Sequence, residues 1–178
     1  MKEYVTEALV LGLKPYREQD KLADFYTKDL GRLEARVIGG RKMVSKLSPH
    51  LDIFNLVTVR LIQKNQFTVT DVIAEERFCF LRGNFKKFAL AFKLLFFIRT
   101  LIPFLMPDLQ LWHSFLRTFK GGYLDFKNFL KILGYDPLLA NCQICPEKKI
   151  EYFHVPSQSF LCKSCGFKFV SNELLFIK

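Results

Sequence analysis

Acidic residues are scarce in this 178-residue chain, where 17 Asp and Glu face 27 Lys and Arg for a formal net charge of +10. The acids are scattered among basic neighbours, so the clustered carboxylates of a metal-dependent nuclease are missing, and Asp20, Asp24 and Asp29 read as strand-end and turn residues. No G-x-x-x-x-G-K-[ST] stretch is present, which argues against ATP use. The three histidines, His50, His113 and His154, lie far apart in sequence and outside any nucleophile motif. With no constellation of catalytic groups, the chain is expected not to be an enzyme. Long apolar runs are also missing. The most hydrophobic stretch, Phe88 to Met106, is cut by Lys93, Arg99 and Pro103 and falls short of the ~18 apolar residues of a membrane span, so no membrane partner is expected. The opening MKEYVTEALVLGLKPY puts Glu3 and Glu7 where a signal peptide needs an apolar core, and a cytoplasmic location is expected.

Half of the residues are apolar, enough for one ordinary domain or two or three small ones. The cationic excess favours a polyanionic partner, with nucleic acid ahead of a membrane surface because no lipidation motif is present; a merely solvated basic surface is the plain alternative. The excess is uneven. Residues 1–77 hold 13 basic and 11 acidic residues, whereas residues 78–178 hold 14 and 6.

From Tyr4 to about Arg77 the pattern is β, in five runs near Tyr4 to Leu13, Lys21 to Lys28, Arg32 to Gly39, Asp52 to Ile62 and Phe67 to Glu76. Lys28-Asp29-Leu30-Gly31 and Lys64-Asn65-Gln66 are the expected hairpin turns. In the third run Leu33, Ala35 and Val37 share one face and Arg32, Glu34 and Arg36 the other, as in a half-buried strand. Five strands with a longer insertion after the third suggest a small closed barrel, of which the OB-fold is the common oligonucleotide-binding form. The insertion GGRKMVSKLSPH carries Arg41, Lys42 and Lys46 and no acid. With Arg32 and Arg36, these are candidate contacts for nucleic-acid phosphates, the alternative being a solvated loop and strand face.

From about Phe80 to Gly134 the period turns helical. Phe85, Phe88, Phe92 and Phe96 form an apolar stripe that is read as core. Pro103 and Pro107 interrupt the pattern, Asp108 is placed to cap a second helix, and a third carries Phe126, Phe129, Leu130 and Leu133 before stopping at Gly134. Lys86, Lys87, Lys93 and Arg99 along the first helix, and Lys127 and Lys131 one turn apart on the third, are candidate contacts for an anionic partner.

Four of five cysteines fall in C-x2-C-x16-C-x2-C spacing at Cys142, Cys145, Cys162 and Cys165. That is the spacing of a four-cysteine zinc site, and the residues between the pairs can form a hairpin that brings them together. Four thiolates would leave Zn2+ no open position, so one structural ion per chain is expected. His154 reads as a hairpin residue and Cys79 as a small buried apolar one.

The run LGYDPLLANCQIC before the second cysteine, and ALVLGLKPYREQDKL, YTKDLGRL, GGRKMVSKL and HLDIF in that order, resemble the signatures of the RecO family of bacterial recombination mediators. Arg17 stands where the family often has Gly, Gly40 where it usually has Ala, and Gln158-Ser159 where it frequently has Gly-Gly. The chain runs only 13 residues beyond Cys165, where relatives continue into further helices, so it reads as a short member. The resemblance implies an α+β protein: an OB-fold over residues 1–77, a helical domain over 78–140, and a zinc module with a tail over 141–178. It also implies binding to single- and double-stranded DNA, strand annealing, and work with RecR, the single-strand-binding protein and, indirectly, RecA. The competing expectation is an OB-fold and zinc-ribbon adapter acting on RNA or the transcription machinery.

Overall fold

A computed structural model describes residues 1–79, 83–121 and 126–177. The chain divides into two compact units, Met1–Gly83 with Ile102–Trp112, and Asn84–Leu101 with His113–Lys178.

The first unit is a five-stranded closed barrel, β1 (Lys2–Tyr16), β2 (Asp20–Thr27), β3 (Gly31–Val37), β4 (Leu56–Gln63) and β5 (Phe67–Glu76), with strand order β1-β2-β3-β5-β4. This is the OB-fold. Its closure depends on β1, which at 15 residues is long enough to pair with β4 through its first half and β2 through its second, with a register shift between Val10 and Gly12. A bulge of this kind bends a strand, as a small barrel requires. β3 and β5 join in parallel through Ala35–Phe67 and Val37–Val69. Alternate side chains fill the interior, among them Ala8, Val10, Phe25, Leu33, Val57 and Val59.

The strand limits shift where side chains need a different backbone. β4 begins at Leu56, because residues 52–55 fold across β1: Phe54 N–H donates to Val10 O, Val10 N–H donates to Asn55 O, and Phe54 is buried at φ 73°. β3 ends at Val37, and Gly39 enters the insertion at φ 63°. Gly31 closes the expected turn at φ 71°.

The outer face of β3 is not the solvent face that its alternation suggests. Residues 102–112 lie over it: Leu105 N–H donates to Arg32 O at 2.8 Å, and Phe104 covers the Arg32 guanidinium at 4.5 Å. The same segment approaches Gly31 so closely that a Cβ there would meet the Met106 backbone at 2.4 Å. Beneath it, Arg32 forks onto Asp24, Nε to Oδ1 at 3.2 Å and Nη2 to Oδ2 at 3.1 Å. Tyr26 donates to Asp108 O at 3.3 Å and packs near Trp112. Burial and the Asp108 carboxylate push the Tyr26 hydroxyl up to about 12, so it stays a donor.

In the second unit α1 (Phe85–Leu101) departs from expectation. Its buried face is Ala91, Leu94, Leu95 and Ile98, spaced i, i+3, i+4 and i+7, together with Phe97. Phe85 is 85% exposed and Phe92 42%, while Phe88 and Phe96 are half-buried, so the Phe stripe is not the core. The helix is apolar on nearly every side, and periodicity therefore cannot select the face that packs. α2 (Leu109–Gly121) starts as expected, with Asp108 Oδ1 accepting from Gln110 N–H at 2.8 Å and Leu111 N–H at 3.0 Å. α3 (Phe126–Ile132) ends at Gly134 (φ 87°), where Tyr135 N–H donates to Leu130 O and Gly134 N–H to Lys131 O in a Schellman closure. Phe97, Phe115 and Phe129 form the aromatic centre, with the Phe115 and Phe129 rings stacked at 4.9 Å.

The same unit ends in a three-stranded sheet of order β7-β6-β8, from β6 (Ile150–His154), β7 (Ser159–Cys162) and β8 (Leu174–Phe176), with the short helix α4 (Lys163–Gly166) after β7. Cys79 is exposed rather than buried. The neighbouring Phe78, at 1% exposure, takes the interior position instead.

Candidate functional site

The second unit brings Cys142, Cys145, Cys162 and Cys165 together, with their Sγ atoms all within 4.8 Å of one another. Each pair is shaped by its backbone. Cys142 N–H donates to Glu147 O at 3.0 Å and folds the first pair into a turn. The second pair spans the end of β7 and α4, where Gly166 lets the chain lie on the Tyr152 ring; a Cβ there would come within 2.5 Å of it. Gln143 N–H donates to Phe160 O, tying the first pair to the hairpin.

Cys145 Sγ lies 3.6 Å from the Sγ atoms of both Cys162 and Cys165, far beyond the ~2.05 Å of a disulfide. Burial pushes the Cys142 thiol up, but N–H donors of Cys162, Ile144 and Cys145 outweigh it and bring the group down to about 6. Burial and the neighbouring thiols push Cys165 up to about 12. Four sulfurs this close cannot all ionise unless a cation shares their charge. The donor set therefore fits a metal ion. His154 stands apart from the cluster, between Ser157 Oγ at 2.6 Å and Glu173 Oε2 at 3.3 Å, as a hairpin residue.

In the first unit the insertion after β3 is a pinned loop. Arg41 N–H donates to Gln19 O, Gly39 N–H donates to Asp20 Oδ1, and Ser48 Oγ donates to Gly40 O. The backbone donor of Gly39, acting against burial and joined by Arg36, holds the Asp20 carboxyl below its ordinary value. Arg41, Lys42 and Lys46 are exposed, and none of them is in an ion pair among the described residues. Carboxylates pair with five other cations of the barrel: Glu3 with Arg60, Glu7 with Lys28, Asp20 with Arg36, Asp24 with Arg32 and Glu34 with Lys14. Arg36 is half-buried with its guanidinium 6.0 Å from the Tyr16 ring, and Arg32 is 8% exposed.

Two further cations belong to this rim and were not among the candidates. A 390 Å³ cavity is lined by Arg17, Lys64, Asn65, Gln66 and Thr68, and Arg17 O accepts from Arg41 Nη1 at 3.5 Å. The β1–β2 turn thus meets the β4–β5 turn. A signal for Arg17 existed, since it replaces a family Gly: its φ is 52°, as is that of Gln158, so both departures stand at left-handed positions. Gly40 is also explained, because a Cβ there would lie 3.0 Å from Val37 Cγ1.

Lys127 and Lys131 line a second cavity, of 440 Å³, within the second unit, beside Asn128, Asp136, Pro137, Leu138, Ile150 and Ile177. Lys86, Lys87 and Arg99 are exposed and Lys93 half-buried on α1. At 100° per residue Lys86 and Lys93 share a side of the helix, while Arg99 falls on roughly the opposite one.

Barrel and thiol cluster together define an OB-fold protein with a four-cysteine module that could hold a metal ion. Residues 1–73 match the family model described as Recombination protein O N terminal. The chain is 28% identical to DNA repair protein RecO of Thermodesulfovibrio yellowstonii, over 92% of its own length and 70% of that protein's. Against DNA repair protein RecO of Caldanaerobacter subterraneus subsp. tengcongensis it is 26% identical, over 98% and 78%. Against that of Heliobacterium modesticaldum it is 32% identical, over 83% and 57%. The first 73 residues thus match the RecO N-terminal model, and most of the chain is similar to RecO DNA repair proteins.

Proposed function

We propose that this chain is a recombination mediator in gap repair, binding single- and double-stranded DNA, annealing complementary strands, and helping RecA loading with RecR and the single-strand-binding protein. The observation that carries this reading is the barrel rim, where Arg41, Lys42 and Lys46 stand exposed on a pinned loop of an OB-fold whose family match spans residues 1–73. Phosphates neutralised there supply sequence-independent affinity. Arg36 stands at the edge of this surface. Arg32, committed to Asp24, contributes by holding the strand face in shape.

The thiol cluster is read as a structural Zn2+ site. A tetrahedron with ~2.3 Å Zn–S bonds places sulfurs ~3.8 Å apart, close to the 3.6 Å separations from Cys145 to Cys162 and to Cys165. All four positions are filled by protein, so the ion would tie the two Cys pairs together and activate no water. The groove with Lys127 and Lys131 fits an acidic tail ending in apolar residues, such as that of the single-strand-binding protein: the lysines meet carboxylates, and Leu138, Ile150 and Ile177 meet the apolar end. Lys86, Lys87, Lys93 and Arg99 offer a further cationic surface to the same tail or to DNA. No catalytic step is assigned. Action on chromosomal DNA implies the cytoplasm, and no helix among the described residues is long and apolar enough to cross a membrane.

Strand annealing of complementary oligonucleotides tests the reading, run beside competition between matched single-stranded DNA and RNA. Annealing is expected, and Arg41→Ala/Lys42→Ala/Lys46→Ala should weaken binding to every sequence alike, with a salt slope lower by about 0.7 per lost phosphate contact. Strict RNA preference without annealing would overturn it in favour of an RNA adapter.

A further inference from the structure

The tip of the cationic loop carries residues that phosphate binding does not use. Ser45 N–H donates to Lys42 O at 3.1 Å, which makes Lys42 to Ser45 a turn with Met43 and Val44 at its two central positions. Turn centres ordinarily hold Gly, Pro, Asn, Asp or Ser, for their backbone freedom or their local hydrogen bonds. Here both are apolar and stand in water: Met43 is 104% exposed and Val44 86%. Ile38, at the base of the loop, is 59% exposed.

This tip is presented by a fixed base. Gly40 N–H donates to Val37 O, Arg41 N–H to Gln19 O and Lys42 N–H to Gly39 O. Lys21 Nζ donates to Ser48 Oγ, and Ser48 N–H to Ser45 Oγ, so both ends of the turn are anchored to the barrel or to each other. The apolar pair is flanked by Arg41, Lys42 and Lys46, and residues 39–51 contain no acid. An apolar tip ringed by cations is complementary to a nucleic acid strand, which offers phosphates on its outside and the flat apolar faces of its bases within.

We infer that Met43 and Val44 form a wedge that enters between adjacent bases of bound DNA and opens one stacking step, while Arg41, Lys42 and Lys46 hold the phosphates on either side. Apolar side chains, Met among them, act in this way in proteins that kink DNA, flanked by basic residues. The inference rests on the DNA-binding reading above and adds to it a contact with the bases.

The test uses the whole protein and a single-stranded oligonucleotide carrying 2-aminopurine, whose fluorescence rises when its neighbours unstack, with anisotropy of an end label read in parallel. Wild type is expected to raise both signals. Met43→Ala/Val44→Ala should bind more weakly with an unchanged salt slope and lose the 2-aminopurine rise, while Met43→Leu/Val44→Ile should restore it. Both positions are exposed, and an unchanged circular dichroism melt checks that the fold survives. If the alanine pair matches wild type in both signals, the wedge is overturned while DNA binding stands. If wild type gives no anisotropy change at low salt, the DNA-binding reading fails and the wedge with it. If the alanine pair leaves DNA signals intact but abolishes binding to phosphatidylglycerol vesicles, the tip serves an anionic lipid surface and the wedge is likewise overturned.

Discussion

The barrel encloses its core with strands of seven to fifteen residues, whereas the strands of the cysteine module have five, four and three. The barrel interior is made of aliphatic and aromatic side chains contributed by every strand. At the centre of the module, three of the five buried residues are Cys142, Cys162 and Cys165 themselves, joined by Leu161 and Leu174. A barrel of this kind carries its own hydrophobic driving force. The module's own cluster is smaller and removes less apolar surface from water to offset the entropy of ordering the chain. A metal ion held by the four thiolates would add coordination to that burial, and the two regions would then differ in what stabilises them.

Removing the coordination should therefore produce the largest effect and confine it to one region. Structural zinc in small modules contributes roughly 10–16 kcal/mol of apparent binding energy. Cys162→Ser, or chelation, is expected to unfold the β6–β7–β8 sheet while the barrel keeps its sheet pairings. Amide hydrogen exchange with metal analysis checks this, and a native module with no bound metal would erase the contrast. Next in size is the ion pair under residues 102–112. Asp24→Ala takes the carboxylate away from the buried Arg32 guanidinium, which should cost the barrel about 3–5 kcal/mol, read as a lower urea midpoint, with no change in metal content. Replacing both partners by apolar residues of similar volume should recover most of that loss, because the desolvation of both charges disappears too.

The smallest effects sharpen the comparison by sampling one left-handed residue in each region. Arg17 and Gln158 both sit at φ 52°. Glycine relieves about 1–2 kcal/mol of backbone strain at such a position and forfeits roughly 0.5–1 kcal/mol in chain entropy. Each substitution should therefore stabilise its own region by about 0.5 kcal/mol. Arg17→Gly should raise the barrel's urea midpoint in the metal-loaded protein. Gln158→Gly should register as tighter metal binding, because folding and coordination are one process in the module.

The thiol cluster was the most legible feature, since two short spacings fix which cysteines can face one another once a hairpin intervenes. The barrel was legible for a similar reason: strand alternation is local, and Leu33, Ala35 and Val37 declare their face without help from elsewhere. α1 was not, because a helix apolar on all sides offers several stripes, and the chain packed the one through Ala91, Leu94, Leu95 and Ile98. Asp108 and Gly134, by contrast, were readable as helix ends because capping is decided within one turn.

Sequence alone determined the five strands, the cationic insertion and the four-cysteine set, all of which rest on interactions spanning a turn, a strand or a hairpin. Only the tertiary structure decided that residues 102–112 would return to cover β3 and bury Arg32, and that the exposed phenylalanines of α1 would lie outside the core. It alone brought Arg17 and Lys64 beside the loop of Arg41. Those outcomes depend on segments some twenty to seventy residues apart meeting in three dimensions. No local period encodes such meetings, because which surfaces meet is settled by the packing of all the segments at once.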